Sequence, residues 1–343
     1  MPINPSILST TLQLLRDKLV DNSFVSHPLF RAIEQAGNLV KVNGGSRVEQ
    51  PVIFGEHSQL SVLSNGFEPV NMAVTDPFNL AKFEYANFTQ PIVLSAVEKA
   101  ANKGDLAVVN ILESKMKNVM LGLKKQVNQQ VIIGNGTIST LQTLNGNGTS
   151  AGLTATGWFE GVAGTAQVNT VGGLAKTTYR SQNWFNQFFN SGAGFDLSHL
   201  DQLMINCQIF HPGGKFPDII LMSPKCYAAF QAQQQSQVQY ISASDRATLD
   251  ADMVGMWRGA KIYVDPNLGF TASGSSGMGA FPVSAYCLSS DMFQLYADVD
   301  GWFNLSEMMP VPGTATEAAQ IFCRMQLVTG HLASHGILIN AEA

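Results

Sequence analysis

The chain has 343 residues, of which 45% are hydrophobic and only 13% charged, with a formal net charge of −5. Charged side chains are therefore about half as frequent as in an ordinary soluble domain, and the acidic balance excludes a polyanion binder that works through a basic tail. A surface poor in charge but rich in Asn, Gln, Ser, Thr and Gly suits a chain largely covered by neighbouring subunits, because interface cores are depleted of charge.

Residues 1–45 read as an arm, with a weak amphipathic helix on Ile7, Leu8, Leu12, Leu15 and Leu19, a second short helix from Phe24 to Ile33, and Gly44-Gly45 as its close. From Arg47 to Gln90 the pattern turns to strand. Val48 and Pro51-Val52-Ile53-Phe54 lead out, and Phe78, Leu80, Phe83, Tyr85 and Phe88 lead back. The tip between them, Glu56 to Asp76, carries the turn signals Asn65-Gly66 and Asp76-Pro77. This spacing predicts a β-hairpin too long to pack wholly on its own chain.

A short helix over Ser95–Lys103 and a break at Gly104-Asp105 precede a long helix reaching Ile133. On it Val108, Leu112, Met116, Val119, Leu123, Val127 and Val131 recur at helical spacing as one apolar stripe. At 1.5 Å per residue it would be ~43 Å long. Lys115, Lys117, Lys124 and Lys125 make a modest basic face. That face is either plainly solvated or, if the helix lined a container of DNA, placed to offset phosphate charge without base readout.

Residues 137–172, rich in Gly, Thr and Asn, read as a surface insertion with Asn145-Gly146-Asn147-Gly148 as an exposed loop. An aromatic cluster (Trp184, Phe185, Phe188, Phe189) then precedes a helix over Ser198–Phe210. Strands are predicted at Asp218–Met222, Ala260–Val264 and Ala285–Leu288, with a Gln-rich helix from Pro224 to about Gln239. Late strands follow at Trp302–Leu305, Ala319–Val328 and Gly336–Asn340.

Chemistry is sparse. His331 and His335 have the i, i+4 spacing that holds zinc on a helix, yet the segment from Gly330 to Gly336 lacks the glutamate of HExxH and its flanks read as strand. A metal-dependent enzyme using His331 and His335 is the alternative of another class. Gly146 to Ala151 fits a loose GxGxxA, but no strand leads into it. Pro212-Gly213-Gly214-Lys215 is followed by Phe216 where a P-loop needs Ser or Thr, and Ser273 to Gly277 has the wrong spacing for a nucleophile elbow. Asp245, Asp250, Asp252, Asp298 and Asp300 flank turns and helix ends, where capping is the commoner role. No catalytic, cofactor-binding or metal-binding residue is assigned.

Cys207, Cys226, Cys287 and Cys323 are widely separated without a CxxC, which excludes a zinc ribbon or thioredoxin-like pair and predicts buried free thiols. The N-terminal residues show no signal-peptide pattern, and no apolar run approaches the ~20 residues that span a bilayer. The expectation is a soluble, cytoplasm-made product with no membrane partner.

From Phe83 to Asn340 the chain resembles the major capsid proteins of tailed bacteriophages, built on the Hong Kong ninety-seven fold. Phe83 to Phe88 before a short helix, a Gly break and a long helix is similar to that family's hairpin return and spine helix. Val171 to Leu174, with Thr178-Tyr179-Arg180 and Trp184, is similar to the start of its axial domain. Met256 to Pro266 and Cys287 to Phe293 are similar to that domain's later strands, and Gln320 to Gly336 to the last strands of the peripheral domain. The resemblance implies an α+β fold: an N-terminal arm (1–45), an extended β-hairpin loop (46–90), a peripheral domain with the spine helix (91–139), an axial domain (140–300) and peripheral return strands (301–343). It implies a virion protein, assembled in the host bacterial cytoplasm as pentamers and hexamers that close into an icosahedral head around double-stranded DNA. A separate scaffolding protein, a portal and a decoration protein would be its partners. An encapsulin-like nanocompartment shell, which encloses enzymes, is the alternative within the fold. The loop tip carries no lysine, so the covalent cross-linking between subunits of one relative is not expected.

Overall fold

The computed structural model describes residues 28–55, 66, 77–101, 111–132, 141–145, 157–160, 167–192, 194–234, 253–266, 268, 277–278, 281–339 and 341. The helix expected on Ile7 to Leu19, the loop tip apart from Gly66, the Gly104-Asp105 break, the Gly146 to Ala151 motif and Asp245, Asp250 and Asp252 lie outside the described residues. The chain divides into two compact units. Among the described residues, one holds 89–101, 111–125 and Phe303–Phe322, and the other holds the remainder.

The larger unit begins with helix α1 (Pro28–Gln35) and strand β1 (Leu39–Val42). β2 (Arg47–Ile53) and β3 (Phe78–Glu84) form the expected antiparallel hairpin, with Arg47 opposite Glu84 and Ile53 opposite Phe78. The return strand is not continuous: it breaks at Tyr85 and resumes as β4 (Ala86–Ser95). The Arg324 guanidinium lies over the Tyr85 ring at 4.5 Å and also holds Asp298 at 3.0 Å, which fixes the break from the side.

Short strands β5 (Thr143–Asn145), β6 (Gly157–Phe159), β7 (Thr170–Val171) and β8 (Leu174–Ala175) follow in this unit. They correct the surface-insertion expectation for 137–172, because Leu141, Leu144, Trp158, Phe159 and Val171 are all core residues. Here low charge marked burial, not exposure.

The main sheet has seven strands. In order they are β11 (Met253–Trp257), β12 (Ala260–Val264), β10 (Ile219–Met222), β14 (Phe281–Leu288), β19 (Gly336–Ile339) and β9 (Gln187–Asn190), with β13 (Gly277–Met278) beside β14. β10, which helix α5 (Pro224–Gln234) follows, runs parallel to β12 and antiparallel to β14. All four residues of β10 are buried, which explains its unbroken apolar sequence.

Helix α4 (Leu197–Phe210) covers this sheet with Leu200, Leu203, Met204 and Cys207, a stripe at i, i+3, i+4 and i+7. Asp196 caps it by accepting from the Ser198 amide at 3.0 Å. The four cysteines are free and buried, as expected, and burial pushes the Cys287 thiol up to about 12.

β15 (Phe293–Asp298) runs parallel to β1 and antiparallel to residues 325–329 of β18 (Thr316–Thr329). The expected late strands therefore separate. β18 pairs with β15, whereas Gly336–Ile339 leaves the return strands and inserts between β14 and β9.

In the smaller unit, α2 (Ala96–Ala101) opens with a capping box. Ser95 Oγ accepts from the Glu98 amide at 3.1 Å, and Glu98 Oε2 accepts from the Ser95 amide at 3.2 Å. Helix α3 (Ile111–Ile132) is the described part of the long helix; it begins in this unit and ends in the larger one. Leu123, Val127 and Val131 of its stripe are buried. β16 (Asn304–Leu305) and β17 (Met309–Pro310) pair with the first half of β18.

Gly336 sits where α4 crosses β19: a Cβ there would lie 2.7 Å from Cys207 Sγ and 2.8 Å from Leu203 Cδ1. Gly336→Ala should overpack this contact and lower stability by about 1–3 kcal/mol in urea titrations. Gly122→Ala is the contrasting case, because in mid-helix a Cβ meets only Gln90 Nε2 at 4.0 Å. It should be neutral or stabilising by up to about 1 kcal/mol.

Candidate assembly surface

The hairpin has two unlike faces because side chains alternate along each strand. On one face Val52, Phe54, Ala81 and Phe83 are buried against the chain's own segment 172–184. Phe54 stacks on Tyr179 at 4.6 Å between ring centroids and meets Trp184 edge-on at 5.3 Å, while Trp184 Nε1 donates to the Leu174 carbonyl. The Lys82 amide donates to the Gly172 carbonyl at 2.8 Å. Gly172 has φ +57°, and a Cβ there would stand 2.9 Å from both Ala81 and Phe83, so only glycine lets the hairpin approach this closely. One face of the hairpin is thus fixed on its own chain along the described strands, a sidedness that its sequence, which showed only its length, did not reveal.

The opposite face is open. Register places Ile53 against Phe78 and Pro51 against Leu80, and Ile53 is 67% exposed and Phe78 65%. Towards the root the same face turns charged, with Glu49 opposite Lys82 and Arg47 opposite Glu84. A contiguous apolar end on an extended ribbon, bordered by charge, is the kind of surface that marks a protein contact.

The basic face of α3 is partly engaged within the smaller unit. Lys115 Nζ pairs with Glu98 at 2.7 Å, which also lowers the Glu98 carboxyl below its usual range. Lys124 Nζ lies 5.6 Å from the centre of the Phe303 ring. Lys115 and Lys124 are therefore not simply solvated.

His331 and His335 do not sit on a helix; they lie in the turn between β18 and β19, which removes the i, i+4 geometry of a zinc pair. His335 is fully buried. Its Nδ1 accepts from the Ser289 amide at 3.1 Å, its Nε2 lies 3.3 Å from Thr329 Oγ1, and its ring stacks on Trp158. Both ring nitrogens thus have protein partners. Burial pushes His335 down to about 3 and His331 down to about 4, with neighbouring histidines adding to the shift. Among the described residues no group of three or more His, Cys, Asp or Glu is placed to hold a metal. Of the aspartates named above, Asp298 pairs with Arg324, and Asp298 Oδ1 accepts from the Asp300 amide.

Sequence reasoning missed a buried polar cluster formed by Glu160, Lys176 and Asn186, with Gln167 and Asn169 beside it. Its members are 26 residues apart at most, with Glu160, Gln167 and Asn169 in the stretch taken for surface and Lys176 and Asn186 just beyond it, and no local pattern joins them.

No protein-family model and no curated protein matches the chain. Solved structures do match, over nearly the whole length. The capsid asymmetric unit of cyanophage A-1(L) aligns over 97% of each chain with a TM-score of 0.63 at 13% identity. The capsid of the native GTA particle aligns over 99% of each chain with a TM-score of 0.64 at 10% identity. The holo-SrpI encapsulin complex from Synechococcus elongatus PCC 7942 aligns over 100% of this chain and 96% of that one, with a TM-score of 0.57 at 10% identity. What is shared at such identities is the fold. The chain has the Hong Kong ninety-seven-type capsid fold that its sequence resembles.

The histidines give a pH dependence of defined sign. Between about pH 6.5 and 4 the unfolded chain takes up protons at His331 and His335 that the folded chain refuses, so stability is held above pH 6.5 and lost on acidification. Each group should cost about 2 kcal/mol by pH 5. Urea midpoints of the unassembled subunit should fall across this window, and His331→Gln should flatten the fall; an equal slope in the variant would refute the assignment.

Proposed function

We propose that the chain is the major capsid protein of a tailed phage, a non-enzymatic shell subunit that forms pentamers and hexamers and closes an icosahedral head around double-stranded DNA. The observation that carries this reading is the match along essentially the whole chain to subunits of shells. The exposed apolar end of the hairpin supports it, because an assembling subunit needs a surface that only a neighbour covers.

In this reading 1–45 is the arm, 46–90 the extended loop, 91–139 with 301–343 the peripheral domain, apart from β19, which joins the sheet of the axial domain, and 140–300 the axial domain. The division into two units supports this arrangement at one point: Phe303–Phe322 clusters with the start of α3 although nearly two hundred residues separate them. The shell would be part of the virion, put together in the host cytoplasm with a scaffolding protein and a portal, and open to a decoration protein outside. Lys115, Lys117, Lys124 and Lys125 of α3 would supply the positive charge for a non-specific contact with packaged DNA. The encapsulin reading shares the fold and differs in cargo, so the contents of isolated particles decide between them.

Purified protein should sediment as capsomers or larger particles, and a monomer under all salt and concentration conditions would overturn the proposal. Ile53→Asp with Leu80→Ser alters only the open hairpin face. The doubly substituted subunit should keep wild-type stability but fail to assemble, since each apolar side chain denied its cover forfeits about 1.5–3 kcal/mol. Assembly at wild-type yield would show that this face makes no contact.

Particles boiled in detergent should give a single band near 36.9 kDa, without a ladder of covalent multimers.

A further inference from the structure

The cluster around Lys176 has an arrangement that simple packing does not require. Lys176 Nζ is wholly buried, 3.0 Å from Asn186 Oδ1, 3.1 Å from Glu160 Oε2 and 2.6 Å from the Trp158 carbonyl. The Glu160 amide donates to the same Asn186 Oδ1 at 3.0 Å. Asn186 Nδ2 is held away from the lysine, donating to the carbonyls of Glu160 and Gln187 at 3.2 Å each. An amine, a carboxamide and a carboxylate thus meet in a site closed to water, with Glu160, Lys176 and Asn186 all 2% exposed or less.

We propose that Lys176 and Asn186 become joined by an intramolecular isopeptide bond, with Glu160 as the catalytic acid–base. In the step, Lys176 Nζ forms a bond to Asn186 Cγ and the Cγ–Nδ2 bond breaks. Glu160 takes a proton from the attacking nitrogen and returns it to the departing one, so ammonia leaves and nothing is oxidised or reduced. Three features of the site favour the reaction. Burial lowers Lys176 to about 8, so that the neutral nucleophilic amine is accessible near neutral pH. The Glu160 amide is aimed at the oxygen on which negative charge develops during attack. The carboxylate itself is fixed by the amides of Val168 and Asn169, at 2.7 and 3.1 Å to Oε1, which leaves Oε2 directed at the amine. The bond would tie the end of β8 to the start of β9 and lock the segment on which the hairpin's buried face rests.

The inference rests on these residues alone and stands or falls apart from the capsid reading. Its test is the intact mass of the denatured full-length protein, followed by peptide mapping. The expected mass is one ammonia molecule below the sequence sum, with a branched peptide joining Lys176 to Asn186. Asn186→Asp should instead lose one water and converge on the same final mass as the wild type, while Glu160→Gln should remain at its own sequence sum. A wild-type mass equal to the sequence sum, or an ammonia loss that maps to another residue, overturns the proposal without reliance on any variant. If the wild type carries the bond and Glu160→Gln, soluble and folded, carries it too, the catalytic role of Glu160 is refuted.

Discussion

The fixed face of the hairpin is the constraint on which the rest of the molecule turns. A two-stranded ribbon is marginal in water by itself, and the exposure of Ile53, Phe78 and Leu80 makes its far end less favourable still. It persists because the other face is held at several points: Phe54 on Tyr179 and Trp184, Phe83 and Ala81 against Gly172, and the Lys82 amide on the Gly172 carbonyl. Burial of Val52, Phe54 and Phe83, at about 1.5–3 kcal/mol each, supports an opposite face that is left largely exposed. Rooting one face and leaving the other open turns a chain feature into an assembly feature.

The same logic continues at the point where the hairpin ends. Tyr85 interrupts β3 and β4, and Arg324 from the middle of β18 stacks on its ring, pairs with Asp298 and donates to the Gly45 carbonyl. The buried amide of Gln326, two residues on, donates to the Glu84 carbonyl and accepts from the Gln142 amide. Two long polar side chains on one strand therefore hold the beginning of the hairpin, its end and the edge of the core in register. A buried amide without its partners would be costly, so these contacts select one arrangement over slipped alternatives.

How much of this was legible in the sequence depended on where the pattern came from. Ala260–Val264 and the hairpin strands were readable because their apolar residues follow the strand period or form short unbroken runs, and α4 because Leu200, Leu203, Met204 and Cys207 keep helical spacing. β1 and β15 were missed: each is short, and they pair with one another across more than 250 residues, a relation no local pattern encodes. The departure of β19 from β18 was equally silent, since both strands look apolar and the choice between sheets rests on Gly336 fitting beneath α4. For the assembly surface, sequence supplied the hairpin's length but not its sidedness, because the buried and open faces both carry phenylalanine. Only the register and the Gly172 contact tell Phe83 from Phe78.

The stretch taken for a surface insertion shows why low charge is ambiguous. Between 141 and 172 the apolar residues come singly or in pairs and no period develops, yet Trp158, Phe159 and Val171 are core and Glu160 lies buried among them, paired with the equally buried Lys176 just beyond the stretch. Replacing a buried ion pair with apolar groups is often neutral or stabilising, so stability alone does not account for Glu160 and Lys176 in a chain that otherwise avoids charge. Nor does electrostatic balance require Asn186 to present its carbonyl oxygen to both the lysine amine and the Glu160 amide. The cluster is ordered around one atom, Asn186 Oδ1. Such convergence of donors on a carbonyl next to a buried amine serves a reaction better than it serves packing.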